Sequence, residues 1–290
     1  MKLLTAIYDI KTIDEIKDMI DGLIIGNEEF ATRLTKSFSL EEMTHIITYL
    51  NKIKKECFIT LNQMYTNQKL NEAKIFIKKL PTDLITGFIV ADLGLYMTLK
   101  ELGLENKIVY NPETLLTNDF DFNYLTQTGI YGNYLAKEIT LEDIKYISEH
   151  KTSKSFMVGH GHLNMFYSKR KLLKNYITYL KEDKNLENKQ NLKIIEEKRE
   201  EEPYPILEDY AGTHVFRSHV FQTLSNIESL SETIDYLVID PIFKDDQYLI
   251  EILPLYNQKV YDEEKINHIK TKYNEIWDDG FLFRKTIYKR

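Results

Sequence analysis

A single cysteine, Cys57, stands among 290 residues, so the chain alone can close no disulfide and ligate no cysteine-held cluster. Placed at the start of an apolar run, that thiol reads as buried and inert rather than nucleophilic. No apolar stretch approaches the ~20 residues needed to cross a bilayer, and no membrane association is expected. The N-terminal MKLLTAIYDIKTIDEIK soon turns charged and lacks a small-residue cleavage site. A first strand is expected there rather than a signal peptide, and the cytoplasm is the expected location. Basic charge is also short. Lys and Arg number 38 against 45 Asp and Glu, a net charge of -7, so nucleic-acid binding needs a local basic patch or a partner. Signatures of common chemistries are missing as well: there is no GxSxG, no HExxH and no P-loop.

What is present is a rhythm. Short apolar runs such as LLTAIYD, DGLIIGN, CFITLNQMY, LITGFIVAD and KIVYN alternate with helical patterns such as SLEEMTHIITYLNKIKKE, for which Ser39 is the expected N-cap. GLYMTLKELG ends on a glycine suited to a helix C-cap. Strands alternating with helices at this spacing imply parallel βαβ units. Seven such units before residue 185, the last being SFMVGHG followed by SKRKLLKNYITYL, predict an α/β fold of the (β/α)8 TIM-like barrel type. An open doubly wound sheet is the alternative; the missing glycine-rich fingerprint after the first strand weighs against it. The rhythm breaks at KEDKNLENKQNLKIIEEKREEE, which reads as a charged excursion outside the barrel. A β-hairpin turning near Ala211-Gly212 follows, so residues 181–225 form an insertion before the last unit. IDYLVIDPIF and QYLIEILPLYN supply that unit. The expected domain spans 1–258, with 259–290 a tail that packs back on it.

In such a barrel the active site lies at the C-terminal ends of the strands. Here the apolar runs end on Asn27-Glu28, Asn62, Asp92, Asn111, Lys137-Glu138, His160-Gly161-His162 and Asp240. Each alone suits a cap or turn; together they would ring one pocket. His160, Lys137 and Glu138 are the candidates for proton transfer. Asn27, Asn62, Asp92, Asn111 and His162 are the candidates for ligand binding. In MVGHGHLNMFYSKRKLL, residues 157–173, Gly159 and Gly161 flank His160 and allow positive φ or a close backbone approach. Ser168 is a candidate cap for the next helix, with Lys169, Arg170 and Lys171 in its first turn. Cations there oppose the helix dipole, whereas helix amides plus cations would suit a phosphate or carboxylate. Tyr167, Ser168, Lys169 and Arg170 therefore join the anion-binding candidates. The alternative is that these cations face solvent or pair with the acidic excursion. His-x-His also occurs in metal sites, with Glu138 and Asp240 as further ligands, but a structural histidine is the preferred reading and no metal is expected.

GHGHLNMFYSKRKLLKNY, the block EEPYPILEDYAGTHVFRSHVFQTLSNIESLSETIDYLVIDPIF and the tail GFLFRKTIYK together resemble the collagenase-like family of unassigned peptidases, number thirty-two in that class. The resemblance runs over nearly the whole chain and is nearest to its short bacterial tRNA-hydroxylating members. It implies a barrel-like domain and, in relatives that hydroxylate tRNA, ribosomal RNA or ubiquinone precursors, an iron-sulfur cluster on four cysteines. The family core of His-Gly-Ala-Met/Leu-Cys then Tyr-Ser-Gly-x-Cys is matched by His160, Gly161, Tyr167 and Ser168. Asn164 and Lys171 stand where its cysteines are expected, so the resemblance implies no cluster in this chain. It further implies a longer cluster-bearing paralogue as partner, tRNA as substrate, a role in 5-hydroxyuridine formation, and a carboxylate ligand such as prephenate; the net charge of -7 predicts weak RNA binding by this chain alone. A peptidase and a non-catalytic scaffold are the alternatives.

Overall fold

The computed structural model describes residues 1–198 and 200–284. Eight parallel strands close on themselves. They are β1 (Lys2–Thr5), β2 (Gly22–Ile25), β3 (Glu56–Leu61), β4 (Gly87–Val90), β5 (Ile108–Tyr110), β6 (Gly132–Tyr134), β7 (Lys154–Gly161) and, after an insertion, β13 (Tyr236–Ile239). Closure is direct: Leu237 of β13 pairs with Leu3 on one side and Met157 on the other. The expected (β/α)8 barrel is the fold.

Helices fill the returns: α1 (Thr12–Ile16), α2 (Leu40–Lys52), α3 (Asn67–Ile77), α4 (Leu93–Glu101), α5 (Asp119–Tyr124) and α6 (Leu141–His150). Ser39 caps α2 in a full capping box with Glu42, which satisfies two otherwise orphaned amides. Gly103, at φ +70°, follows α4 as its pattern predicts. Apolar residues between the strands and this helical layer form the main core. Inside the barrel a second cluster of Leu4, Phe58, Ile89, Val109, Tyr134, Phe156, Tyr236 and Val238 plugs the lumen. The Phe156 and Tyr236 rings stack there at 4.3 Å and 6°. The mouth is thus left as the open end.

The insertion differs from the one expected. It begins just after β7, not at residue 181. Strand β8 (Asn164–Ser168) pairs antiparallel with β11 (Gly212–Phe216), which pairs with β10 (Tyr204–Asp209) and then β9 (Lys193–Ile194). Helix α7 (Leu172–Tyr179) packs on this sheet, against β11, and is not the seventh barrel helix. That place belongs to α8 (Ile227–Thr233), after β12 (Val220–Gln222), which runs antiparallel to β7. The sheet lies over the mouth as a lid. Gln190 bonds Tyr8 and the carbonyls of Leu34 and Thr35, while Asp209 bonds the loop after β2. Lys169 reaches the Met64 carbonyl beyond β3.

After β13 come α9 (Asp246–Gln258), α10 (Glu263–Lys272) and β14 (Trp277–Asp278). Strand β14 pairs with β12, and Leu282 is buried with its carbonyl accepting from Leu141 N–H. The turn at Asp279-Gly280 is present, with Gly280 at φ +57°. The basic end of the chain, 285–290, lies outside the described residues.

Candidate functional site

The cavity is built from loops that two asparagines shape. After β2, Asn27 takes the Glu29 N–H at 3.0 Å and donates to Phe38 O at 2.9 Å, closing the loop on itself. That loop carries Arg33, at φ +58°. After β5, the Asn111 side-chain oxygen accepts the Glu113 N–H at 3.1 Å, and Glu113 sits at φ +67°. Left-handed backbone at residues with a Cβ is strained, and here it aims two opposite charges at each other. The Arg33 guanidinium pairs with one Glu113 oxygen and the Lys137 ammonium with the other. Burial pushes the Glu113 carboxyl up, but Arg33 and Lys137 outweigh it and hold it at about 2.

These groups border a cavity of about 140 Å³ at the barrel mouth, floored by Tyr134 and Val238. The side-chain oxygens of Asn62 and Asn111 are fixed by the N–H groups of Thr32 and Glu113, which settles each amide's orientation. Their NH2 groups have no partner among the described residues. Asp240, at the end of β13, completes the ring. Its carboxyl is pushed up to about 6 by burial, against the opposing Ile242 N–H and Arg33. The same burial, with the Asp240 and Glu113 charges, keeps the Tyr134 phenol protonated. The site thus sets two cations, two amide NH2 groups and a phenol beside two carboxylates, a polar lining suited to a small ligand.

Five of the strand-end residues expected to ring a pocket line this cavity: Asn62, Asn111, Lys137, His162 and Asp240. His162 is a neutral imidazole with both nitrogens engaged. It donates from Nδ1 to Arg217 O at 2.8 Å and accepts at Nε2 from Lys244 at 3.3 Å. Burial and the Lys244 charge hold it down at about 3.

The other predicted residues lie elsewhere. His160 is fully buried between Tyr248, at 2.5 Å, and Tyr256, at 3.2 Å, and burial lowers its pKa well below the ordinary value. It joins β7 to α9 and does not line the cavity. Glu138 is exposed to solvent. Asn27 serves its loop, and Asp92 caps α4 through Leu95 N–H while also taking the Tyr65 N–H. Tyr167 stacks on His214 at 4.5 Å. Ser168 accepts the Arg170 N–H and caps no helix, because α7 starts at Leu172. Lys169 and Arg170 therefore precede the helix rather than occupy its first turn. The helix end already has its anion: the buried Glu208 carboxylate takes the N–H groups of Leu173, at 2.8 Å, and Lys174, at 3.1 Å. That leaves no free amide site for a phosphate there.

The two glycines also have a packing reason. A Cβ on Gly159 would lie 2.4 Å from the Leu237 side chain, and one on Gly161, at φ +130°, 2.5 Å from the Asp240 carbonyl. Both let β7 close against β13. Asn164 borders the cavity and donates to the carbonyls of Phe166 and Val215, whereas Lys171 turns to Glu187 and the Asp209 carbonyl. Among the described residues, no three His, Cys, Asp or Glu side chains are grouped to hold a metal ion.

Arg33 and Glu113 were missed by strand-end reasoning because they sit several residues into their loops. The only available signal was the Asn-Pro-Glu turn at residues 111–113.

Replacing Asp240 with asparagine removes a carboxylate whose folded pKa lies above its ordinary 3.8. A raised acid costs nothing while protonated in both states and destabilises once ionised. The variant should therefore match the parent near pH 4 and exceed it by about 2 kcal/mol above pH 6. Denaturant titrations at pH 4 and 7.5 test this; an equal gap at both would show that Asp240 titrates normally.

A closed (β/α)8 barrel with a polar cavity at its mouth, under a small β-sheet lid, defines the class: a lidded (β/α)8 barrel protein. The sequence profile of peptidase family U32 matches residues 10–286, and the chain belongs to that family. It is 26% identical over 92% of both chains to tRNA hydroxylation protein P2 of Bacillus subtilis (strain 168). To tRNA hydroxylation protein P1 of the same organism it is 23% identical, over 54% of this chain and 38% of that protein. The structure of the U32 peptidase Mk0906 superposes with a TM-score of 0.52 at 14% identity, over 83% of this chain and 92% of that one, a likeness of fold. Among the described residues no helix is long and apolar enough to cross a membrane.

Proposed function

We propose that this chain acts in tRNA wobble uridine 5-hydroxylation as the cluster-lacking member of a pair, beside a longer iron-sulfur paralogue. The end-to-end similarity to tRNA hydroxylation protein P2 carries the reading. The alignment with P1, which spans well under half of that protein, supports a longer partner of the same family.

An iron-sulfur cluster does not fit the residues of this chain. Asn164 and Lys171 are not thiolates, and Cys57 is buried in β3 with burial raising its thiol pKa. The redox chemistry accordingly belongs to the partner. This chain's part is to bind: Arg33, Lys137 and the NH2 groups of Asn62 and Asn111 would hold a carboxylate metabolite such as prephenate. Glu113 keeps the two cations aligned.

The family's peptidase name is the second reading. The nearest thing to a nucleophile-base pair is Thr32 with His214 Nε2, at 2.6 Å. But Thr32 is buried and donates to Asp209, and the same imidazole nitrogen also meets that carboxylate. A triad needs the acid on the other ring nitrogen. This geometry favours a structural role for the trio.

Nucleoside mass spectrometry of a deletion strain tests the leading reading. Tracts of tRNA should lose 5-hydroxyuridine, and re-expression of this chain should restore it. A normal level in a deletion strain with no other family member would sink the reading.

A further inference from the structure

We propose that the outer face of the lid, along Phe166 to Lys181, is a docking surface for an unpaired RNA loop. This rests on the tRNA reading above and assigns it a surface.

The charge pattern comes first. Residues 165–181, MFYSKRKLLKNYITYLK, hold five basic residues and no acidic one, in a chain of net charge -7. Lys171 is taken by Glu187. The exposed side chains of Arg170, Lys174 and Lys181 have no acidic partner among the described residues, and Lys169 meets only the Met64 carbonyl. Glu182, the next acid along the chain, pairs with Lys184. Nor do these cations serve the helix end, which Glu208 already satisfies.

The aromatic rings come second. Strand geometry separates the two faces of the lid. Tyr167 and His214 pair across β8 and β11 and point to the barrel, where His214 meets Thr32. Phe166 and Val215 are the next pair and so face outward, on the side where Thr213 bonds the start of α7. Phe166 is half exposed. On α7, Leu173 and Ile177 turn toward the sheet, while Tyr176 and Tyr179 are 58% and 82% exposed. Positions i and i+3 are neighbours on a helix, so the two rings flank one another.

Unpaired cations and uncovered aromatic rings alternating along one exposed segment fit phosphates together with unstacked bases. A folded protein partner would use the rings but would have to be strongly acidic to answer the cations. The patch lies on the element that roofs the cavity, and Lys169 ties it to the barrel rim beside Met64. A bound loop would thus lie at the edge of the mouth.

Fluorescence anisotropy of the full chain with a labelled anticodon stem-loop RNA, over a salt series, tests this. Combining Arg170→Ser, Lys174→Ser and Lys181→Ser should weaken binding at least about tenfold and reduce the slope of log affinity against log salt by about 2. Combining Tyr176→Ser with Tyr179→Ser should weaken binding by about tenfold or more and leave the slope unchanged. All five side chains are exposed, and unchanged thermal melting would confirm that both variants fold. Absence of RNA binding by the parent chain at low salt, or binding by the variants equal to the parent, overturns the proposal. Unaltered 5-hydroxyuridine in the deletion strain sinks the tRNA hydroxylation reading instead, and leaves the RNA surface to stand or fall on the binding data.

Discussion

The Asp209→Ala variant is expected to lose about 3 kcal/mol of stability, because several donors converge on one carboxylate. Thr32 Oγ1 donates at 2.6 Å and Arg33 N–H at 2.8 Å from the barrel loop. Ala211 and Gly212 N–H donate from the lid's own turn, at 3.0 and 3.2 Å. His214 adds a contact at 3.3 Å; burial lowers its pKa, so this is a hydrogen bond from a neutral ring rather than an ion pair. Alanine leaves these donors buried with nothing to accept, at about 1–3 kcal/mol for each that water cannot reach. Some relaxation is expected, hence the lower sum. Asp209 is the hinge pin between lid and barrel, and Arg33 is held by it at the backbone. The variant should therefore also open the lid, raising hydrogen exchange in β10 and β11 ahead of the barrel strands. Burial pushes the Asp209 carboxyl up, but its donors bring it below its ordinary value. Its contribution is present above the unfolded carboxylate range and lost as pH falls through the lower folded value. Denaturant titration and exchange mass spectrometry check both points; a loss under about 0.5 kcal/mol with no selective exchange would mean the lid is held by other contacts.

The barrel was legible because parallel strands buried on both faces read as short apolar runs, and the returns carry helix caps such as Ser39. Closure was less so, since it depends on pairing β13 with residues more than two hundred positions away in β1. The lid was legible as a break in rhythm and as the hairpin turning near Ala211-Gly212, which joins β10 to β11, but not in where it begins. SKRKLLKNYITYL has the same periodicity whether it covers a barrel or a small sheet, and the β8–β11 pairing that decides between them is non-local. Strand-end reasoning found Asn62, Asn111, Lys137, His162 and Asp240 because each follows its strand closely. It also put His160 in the site, because His160 stands at the end of the same apolar run as His162. The β-bulge where β7 meets β13 lies at this point, and His160 ends up buried against α9. Beyond the Asn-Pro-Glu turn at residues 111–113, Arg33 and Glu113 carry no local sign of their role. Their placement comes from loop conformations with positive φ, which residues with a Cβ adopt only when the surroundings impose it.

Glu113→Ala should have the second large effect, and one that separates binding from stability. The carboxylate answers two largely buried cations, whose side chains are 11% exposed each. Removing it leaves Arg33 and Lys137 facing one another without the carboxylate that pairs with both. Loss of one partner of a buried pair costs about 3–5 kcal/mol, and access of water to the cavity reduces this to roughly 2 kcal/mol. The pH dependence follows from the depressed carboxyl. The folded value of about 2 lies below the ordinary 4.5, so Glu113 contributes fully above pH 4.5 and progressively less as pH falls toward 2. The stability gap between parent and variant should narrow over that interval and be flat above it. An anionic ligand supplies what the variant lacks. Carboxylates such as prephenate should therefore raise the melting temperature of Glu113→Ala more than that of the parent. Thermal shifts with and without the carboxylate at pH 7 measure this. A variant as stable as the parent, or one that carboxylates do not rescue, would mean that Arg33 and Lys137 do not act as the anion-holding pair.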